Sequence, residues 1–138
     1  KKARLCIQGF LQLPGIDYNE TFSPTGKFST LLVLLTFAID KKLPLCQFDV
    51  KSAFLYVPLK ETLYIKTPEG SKRKSLYLWL KKSLYGLKQA PENWFETLTA
   101  WFKDINFFQS TSDPCLFIHQ DGNSYIFFHV NDLIVAGK

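Results

Sequence analysis

The chain has 138 residues, of which 46% are hydrophobic, 21% charged and 16% aromatic, and its formal net charge is +5. This composition is typical of a folded globular protein and excludes a disordered chain; the longest apolar stretch, residues 31–39, is too short to cross a bilayer, so no membrane partner is expected. The basic balance suits a polyanionic partner.

The first third of the chain predicts a strand, a helix and a second strand. Residues 3–10 alternate loosely between apolar and polar and predict the first strand. Ser29 or Thr30 can cap a helix whose body, residues 31–39, is apolar nearly all round, so we expect that helix to be buried. Residues 45–50 predict a short strand that carries one acid, Asp49, next to its end.

The middle of the chain predicts a short helix, a strand pair and a long helix. Residues 51–56 can form the short helix, and residues 63–66 and 76–80 predict two paired strands. Pro91 suits the start of the long helix. Its apolar side chains recur at helical spacing, which indicates a stripe that faces the core: Trp94, Phe95, Leu98, Trp101, Phe102 and Ile105.

The last third predicts antiparallel strands. Asp121-Gly122 predicts a hairpin turn between residues 116–120 and 124–130, and residues 133–136 supply a further strand. Strands joined by hairpins are antiparallel, so the predicted fold class is α+β.

Two features of composition bear on the cellular context. Cys6, Cys46 and Cys115 are odd in number and far apart, so we expect buried free thiols in a reducing compartment rather than disulfides or a zinc site. The chain contains no Met. We therefore interpret it as a segment of a longer polyprotein.

The apolar run over residues 127–137 is interrupted by Asn131-Asp132. One interpretation is a hairpin turn, because Asn and Asp tolerate the positive φ that such turns need. The other is a metal site on that turn, shared with Asp49. Neighbouring carboxylates repel, and a divalent ion between them removes the penalty; magnesium suits such a site because it takes one or two carboxylates and completes its shell with water and phosphate.

Three further residues could contact a ligand. Gly86 lets backbone approach a ligand closely, although a loop before the long helix would need a glycine in any case. Arg4 and Lys2 could hold phosphate oxygens. His119 and His129 fall on predicted strands and are interpreted as structural.

Six blocks of sequence resemble, in order, the reverse transcriptase of copia-type long-terminal-repeat retrotransposons. They are KARLCIQGF, GIDYNETFSP, FDVKSAFL, KKSLYGLKQAPENWF, SDPCLF and HVNDLIVAG, and together they cover essentially the whole chain. The resemblance implies the fingers and palm of a right-hand polymerase, with an antiparallel palm sheet backed by helices. It also implies that residues 1–138 form one incomplete domain, without the thumb and the ribonuclease H domain.

The resemblance implies a catalytic centre with two Mg²⁺ ions. Asp49 matches the acid of the first palm motif, with the Val50 carbonyl assisting, and Asn131-Asp132 matches the pair of aspartates that completes the site. Two departures stand there. His129 replaces an aromatic residue, usually Tyr, and Asn131 replaces the aspartate expected to bind metal most directly.

The resemblance also implies a nucleotide site. Phe54 matches the bulky ring that screens the sugar 2′ position, and Gly86 matches the motif that lines the incoming nucleotide and template. Arg4, with Lys2, matches the residues that clamp the triphosphate. The implied partners are an RNA or DNA template with its primer, deoxynucleoside triphosphates, and a polyprotein or dimer partner, and the implied location is particle-associated in the cytoplasm or nuclear.

Three functions remain open at this point. The first is template-directed DNA synthesis, impaired by Asn131. The second is a catalytically inactive, polymerase-derived domain that binds nucleic acid or serves as a scaffold. The third is a metal-dependent nuclease built on Asp49 and Asp132.

Overall fold

Helices and antiparallel strands make up the computed structural model, which describes residues 4–137. The helices are α1 (Phe28–Asp40) and α2 (Ala90–Asp104). The strands are β1 (Leu45–Asp49), β2 (Pro58–Lys66), β3 (Tyr77–Lys82), β4 (Phe107–Gln109), β5 (Leu116–His119), β6 (Tyr125–His129) and β7 (Asp132–Ala136). The predicted α+β class and the antiparallel pairing of the late strands are confirmed.

The chain divides into two compact units. The first unit contains the described residues up to Phe22 together with Ser52–Trp94, and the second contains Ser23–Lys51 together with the described residues from Phe95 onward. The second unit holds a five-stranded antiparallel sheet in the order β1-β7-β6-β5-β4, and the first holds the pair β2-β3. The predicted turn at Asp121-Gly122 joins β5 to β6, with Gly122 at φ 71°.

The sheet of the second unit is covered by helices on both faces. Phe127 packs with Leu34 and Ala38 of α1. The next residue, Phe128, points the other way, because successive side chains of a strand alternate between faces, and its ring lies 5.8 Å from that of Phe102 in α2. The predicted stripe of α2 is thus a packing surface here, except for Trp101, which is exposed.

Two predictions for α1 are wrong. The helix begins at Phe28 rather than after Ser29 or Thr30, and its N-cap residue Lys27 makes no side-chain cap. The helix is also not buried all round: only Leu34 and Ala38 are buried, and much of its apolar surface is exposed. A single helix face fits against the sheet, so an apolar composition all round does not by itself bury the other faces.

The start of α1 is held by a carboxylate distant in sequence. Asp113 Oδ2 accepts a hydrogen bond from the Lys27 N–H at 2.9 Å, and Oδ1 accepts one from the Cys115 N–H at 2.9 Å. Burial alone would raise the pKa of Asp113, but hydrogen bonds from the Thr30 hydroxyl and from these two N–H groups bring it below its ordinary value. Thr30 therefore helps to hold the helix start through Asp113 rather than as the N-cap.

Asp113→Asn is expected to lower the free energy of unfolding by about 1–3 kcal/mol at pH 7, because the amide NH₂ cannot accept a hydrogen bond and leaves a buried N–H unpaired. Because the pKa of Asp113 is lower in the folded state, the ionised carboxylate stabilises the fold at pH values above its unfolded-state pKa. This stabilisation is lost as the pH falls through the folded-state pKa. The difference between parent and variant in urea unfolding should therefore shrink below about pH 4. Asp104→Asn, at an exposed position, is the control and should change stability by less than about 0.5 kcal/mol. A variant as stable as the parent at pH 7 would contradict this role.

The predicted strand over residues 3–10 is wrong for its described part. Cys6 makes a single bridge with Tyr85, and Gly9–Leu11 form a 3-10 turn. The ladder stops because the partner backbone turns at Gly86, where φ is 93°. The short helix predicted over residues 51–56 is a 3-10 helix, Ala53–Tyr56, and β2 and β3 confirm the predicted strand pair.

The prediction of three buried thiols is wrong for two of them. Cys6 and Cys46 are exposed, and Cys115 is buried. Cys46 lies on β1, an edge strand, which explains its exposure. Burial and then the charge of Asp113 raise the pKa of the Cys115 thiol to about 12, so this thiol is unreactive. Within residues 4–137, no helix has both the length and the apolar character needed to cross a membrane.

Candidate active site

Two carboxylates meet where β1 ends and β7 begins. Asp49 is the last residue of β1, Asp132 is the first of β7, and the two are register partners in the antiparallel ladder. Partners of this kind have Cα atoms about 4.5–5.5 Å apart and side chains on the same face. The structure thus brings together the two acids that the sequence singled out, and both are exposed.

A third side chain continues this row across the sheet. His129, the last residue of β6, is the register partner of Asp132 on the side away from Asp49. The row therefore reads His129, Asp132, Asp49 across three neighbouring strands. His129 is exposed at the strand end, as a side chain at the rim of a site would be.

The turn between β6 and β7 consists of Val130 and Asn131. The Val50 N–H donates to the Asn131 carbonyl at 3.0 Å, which ties the end of β1 to the turn. Of the two turn residues, only Val130 has a positive φ, of 58°. The expectation that Asn and Asp supply the positive φ is therefore wrong: Asp132 is already in the strand, and a β-branched residue occupies a position that favours glycine.

Strain at Val130 leads to a stability prediction. Left-handed backbone at a non-glycine residue costs about 1–3 kcal/mol of stability, and a glycine removes this cost. Glycine also loses more conformational entropy on folding, which lowers stability by about 0.5–1 kcal/mol. Val130→Gly is therefore expected to raise the free energy of unfolding by about 1 kcal/mol in a urea titration. Val130→Ala keeps a Cβ, so most of the strain should remain. If the alanine variant gains as much as the glycine variant, the side chain rather than the backbone is responsible.

Asn131 supplies a buried acceptor without a partner. Its Oδ1 is buried and accepts no hydrogen bond in the described part of the chain. An unsatisfied buried polar atom costs about 1–3 kcal/mol, so such atoms point to a ligand or a functional constraint. Asn131 directly precedes Asp132 in sequence. The end of β1, where Asp49 lies, is tied to the same turn by the Val50 hydrogen bond.

The carboxylate pair suits a hard cation. Asp49 and Asp132 offer two carboxylates, which Mg²⁺ accepts as ligands with water and phosphate completing its shell. Among residues 4–137, no group of three or more His, Cys, Asp or Glu side chains is arranged to hold a metal. On the turn next to Asp132, the chain carries the neutral Asn131 amide rather than a third carboxylate.

Residues predicted to bind the nucleotide lie together in the first unit, around Tyr85. The Arg4 guanidinium lies 4.5 Å from the centroid of the Tyr85 ring, and the buried Phe54 ring meets Tyr85 edge-on at 5.0 Å. Gly86 follows Tyr85 directly, and a Cβ there would collide with the backbone of Ile7. Lys2 lies outside the described residues.

Sequence reasoning missed Tyr85, which contacts Arg4 and Phe54, and Asp113, which holds the start of α1. Tyr85 gave no signal beyond its place before Gly86, although an aromatic ring between a guanidinium and a second ring is a common arrangement. Asp113 had a weak signal: it precedes Pro114 and the apolar residues 115–118, and an acid is expensive to bury there without donors. Two of its donors, the Lys27 N–H and the Thr30 hydroxyl, come from a segment far earlier in the chain, so only the fold reveals them.

Comparison with known proteins agrees with the predicted resemblance. The family model described as "Reverse transcriptase (RNA-dependent DNA polymerase)" matches residues 1–138. The chain is 40% identical to the Retrovirus-related Pol polyprotein from transposon RE1 of Arabidopsis thaliana and 38% identical to that from transposon TNT 1-94 of Nicotiana tabacum. It is 33% identical to the Transposon Ty1-DR5 Gag-Pol polyprotein of Saccharomyces cerevisiae.

Each of these alignments includes 99% of this chain but only 10%, 11% and 8% of the respective relative. The chain thus spans about a tenth of the length of these polyproteins. No solved structure matches it.

Proposed function

Because this chain belongs to the reverse transcriptase (RNA-dependent DNA polymerase) family, we propose that it is the fingers and palm segment of a right-hand polymerase, weakened by Asn131. The substrates are deoxynucleoside triphosphates and a primer on an RNA or DNA template. The reaction is attack of the primer 3′-hydroxyl on the α-phosphate of the nucleotide, with release of pyrophosphate.

The observation that carries this proposal is the carboxylate pair. Asp49 and Asp132 are register partners on one face of the sheet, and the turn before Asp132 carries the Asn131 Oδ1, which is buried and accepts no hydrogen bond within residues 4–137. The family match supports a polymerase, and the backbone register supports Asp49 and Asp132 as its acids.

The residues of this chain have distinct roles in the proposal. Asp49, with the Val50 carbonyl, and Asp132 would hold Mg²⁺, which when bound neutralises phosphate charge and activates the attacking hydroxyl. Asn131 would contribute a neutral oxygen in place of a carboxylate. The pairing of β1 with β7 fixes the two acids before substrate arrives, so the site needs little rearrangement.

The nucleotide would be held by the group around Tyr85. Arg4 carries a planar guanidinium that suits triphosphate oxygens, and its stacking on Tyr85 orients that guanidinium. Phe54 is held edge-on by the same ring, which fixes the position of a side chain that would exclude a 2′-hydroxyl. Gly86 would line the nucleotide and template.

A second candidate function is a catalytically inactive domain that binds nucleic acid or acts as a scaffold. Asn131 favours it, since the amide brings no charge to a site that must hold dications. The excess positive charge favours it too, because nucleic-acid binding needs no catalytic metal. The two candidates predict the same fold and differ in the chemistry at the turn.

Primer extension separates the two candidates. The parent chain, Asn131→Asp, and Asn131→Asp combined with Asp49→Asn would be given a primer-template duplex, deoxynucleotides and Mg²⁺. The proposal expects extension by Asn131→Asp, little by the parent and none by the double variant. Extension by the parent at the rate of Asn131→Asp would contradict the impairment. If all three bind the duplex with steep salt dependence and none extends the primer, the second candidate is correct.

A further inference from the structure

The outward face of the β2-β3 hairpin carries three aromatic rings. Tyr64 is the register partner of Trp79, and Lys66 is the partner of Tyr77, so these four side chains share one face. Side chains at the alternate positions of both strands point the other way, and among those Leu63 is buried. We call Tyr64, Tyr77 and Trp79 the ring ladder.

The ring ladder is open to solvent. Tyr64, Tyr77 and Trp79 are 65%, 63% and 57% exposed, which is high for large rings placed side by side. Single exposed apolar residues are ordinary, but contiguous ones mark a contact surface. Tyr77 and Trp79 are two residues apart on one strand, about 6.8 Å along it, so the rings repeat at a regular step.

Charge decides what kind of partner fits the ring ladder. Residues 58–82, which comprise the hairpin, contain seven Lys and Arg and two Glu, a net charge of +5. The remaining ten basic and ten acidic residues cancel, so the hairpin carries the whole net charge of the chain. The Lys81 ammonium lies 5.6 Å from the Trp79 ring centroid, and Lys66 lies on the ring face beside Tyr64.

We infer that the ring ladder binds single-stranded nucleic acid, with bases stacked on the rings and phosphates beside Lys66, Lys81 and the loop Lys72-Arg73-Lys74. Aromatic rings flanked by cations are the usual way to hold a single strand without reading its sequence. A protein partner would need acidic groups and would gain less from stacked rings. The inference rests on the proposed function only in taking nucleic acid as the partner; it requires neither metal nor the Asn131 turn.

Fluorescence anisotropy of a labelled single-stranded oligonucleotide of mixed sequence, in EDTA, tests the stacking. Trp79→Ala and Tyr64→Ala are each expected to weaken binding about tenfold, as loss of one stacked base does. In the parent, a base stacked on Trp79 should quench the fluorescence of Trp79. Trp79→Phe keeps a ring, so it should retain most of the affinity but show no such quenching. Trp101→Ala is the matched control, because Trp101 is 53% exposed but lies on α2.

Salt dependence tests the charge. Removing one cation that pairs with a phosphate should reduce the slope of log K against log salt by about 0.7 for a single strand. Lys66→Gln and Lys81→Gln should therefore each flatten the slope by that amount, and Lys103→Gln, in the last turn of α2, should leave it unchanged. The same titration with a blunt duplex should show a much smaller effect of Trp79→Ala, because paired bases cannot stack on the rings.

Three results would overturn the inference. The first is no binding of the single strand by the parent at low salt. The second is equal affinity of Trp79→Ala and Trp101→Ala. The third is self-association in sedimentation that Trp79→Ala abolishes while the oligonucleotide does not bind, which would assign the ring ladder to a second copy of the chain. Failure of Asn131→Asp to extend a primer overturns the proposed catalysis and leaves this binding measurement unaffected.

Discussion

Asn131→Asp is expected to raise the rate of primer extension by on the order of a thousandfold over the parent chain. Two unit charges 4 Å apart interact by roughly 4 kcal/mol at an effective dielectric of about 20, and a dication doubles this. If water and neighbouring groups already recover half, about 4 kcal/mol of transition-state stabilisation is missing from the parent. At 1.36 kcal/mol per decade, that deficit corresponds to nearly three decades in rate.

The structure adds a second readout to this substitution. Asn131 Oδ1 is buried and accepts no hydrogen bond in the described part of the chain, so a carboxylate at this position, next in sequence to Asp132, would add a charge that no donor neutralises. Without metal, Asn131→Asp should therefore be less stable than the parent. Mg²⁺ should then raise its melting temperature more than that of the parent, because ligand binding stabilises the state that binds it.

Asn106→Asp is the matched control for both readouts. Asn106 precedes β4, at the opposite edge of the sheet from β1, and Asp is also tolerated at its φ of 62°. The control adds the same charge without approaching the site, so neither extension nor Mg²⁺-dependent stability should change. Equal responses of Asn106→Asp and Asn131→Asp to Mg²⁺ would show that the turn is not where the cation binds.

The late hairpins could be predicted from sequence because their signals are local, whereas the pairing of Asp49 with Asp132 depends on the fold. Asp121-Gly122 indicates one hairpin, the apolar run interrupted at Asn131-Asp132 indicates the next, and Asp49 ends a short strand. Once the strands are in place, ladder register alone sets Asp49 beside Asp132. The roles of these acids in catalysis remain predictions, since a backbone register does not test chemistry.

The errors arose where contacts distant in sequence decide the outcome. The start of α1 depends on Asp113, whose acceptors satisfy the Lys27 N–H, so no local cap is needed at Ser29. The positive φ falls on Val130 because the strands pair one residue earlier than the Asn-Asp turn signal suggests. Local propensity gave a plausible answer in both cases, and tertiary contacts overruled it.

The ring ladder could not be predicted by considering each strand separately. Tyr64, Tyr77 and Trp79 fall on two strands separated by a polar loop, and each strand alone looks like an ordinary half-buried strand. The register of β2 with β3 is what places the three rings on one face. The positive charge of residues 58–82 can be counted from the sequence. It indicates a nucleic-acid partner only once the exposed rings are known to lie beside it.

Gly86→Ala is expected to lower the free energy of unfolding by about 3 kcal/mol, which combines strained backbone with overpacking. The φ at Gly86 is 93°, in a region that L side chains rarely adopt, and a Cβ would collide with the Ile7 backbone. Neither feature can relax easily, because the Ile7 N–H donates to the Tyr85 carbonyl at 2.7 Å and so fixes the two segments together.

Gly70→Ala is the control that separates these two costs. Gly70 has a similar φ of 78°, but no atom lies near the position of an added Cβ. Its substitution should therefore cost only the backbone strain, about 1 kcal/mol. Urea unfolding of the two variants, followed by circular dichroism, measures the difference directly, and a gap of about 2 kcal/mol is expected from the Ile7 collision alone.

The same pair of variants decides between two functions of Gly86. If the glycine serves the approach of Ile7, Gly86→Ala loses stability first, and nucleotide binding by the fraction that remains folded is normal. If the glycine serves a ligand, Gly86→Ala should be about as stable as Gly70→Ala. In that case Gly86→Ala should bind deoxynucleotide more weakly than Gly70→Ala does. The first outcome is the one that the structure favours, because the close neighbour of Gly86 is the chain's own backbone.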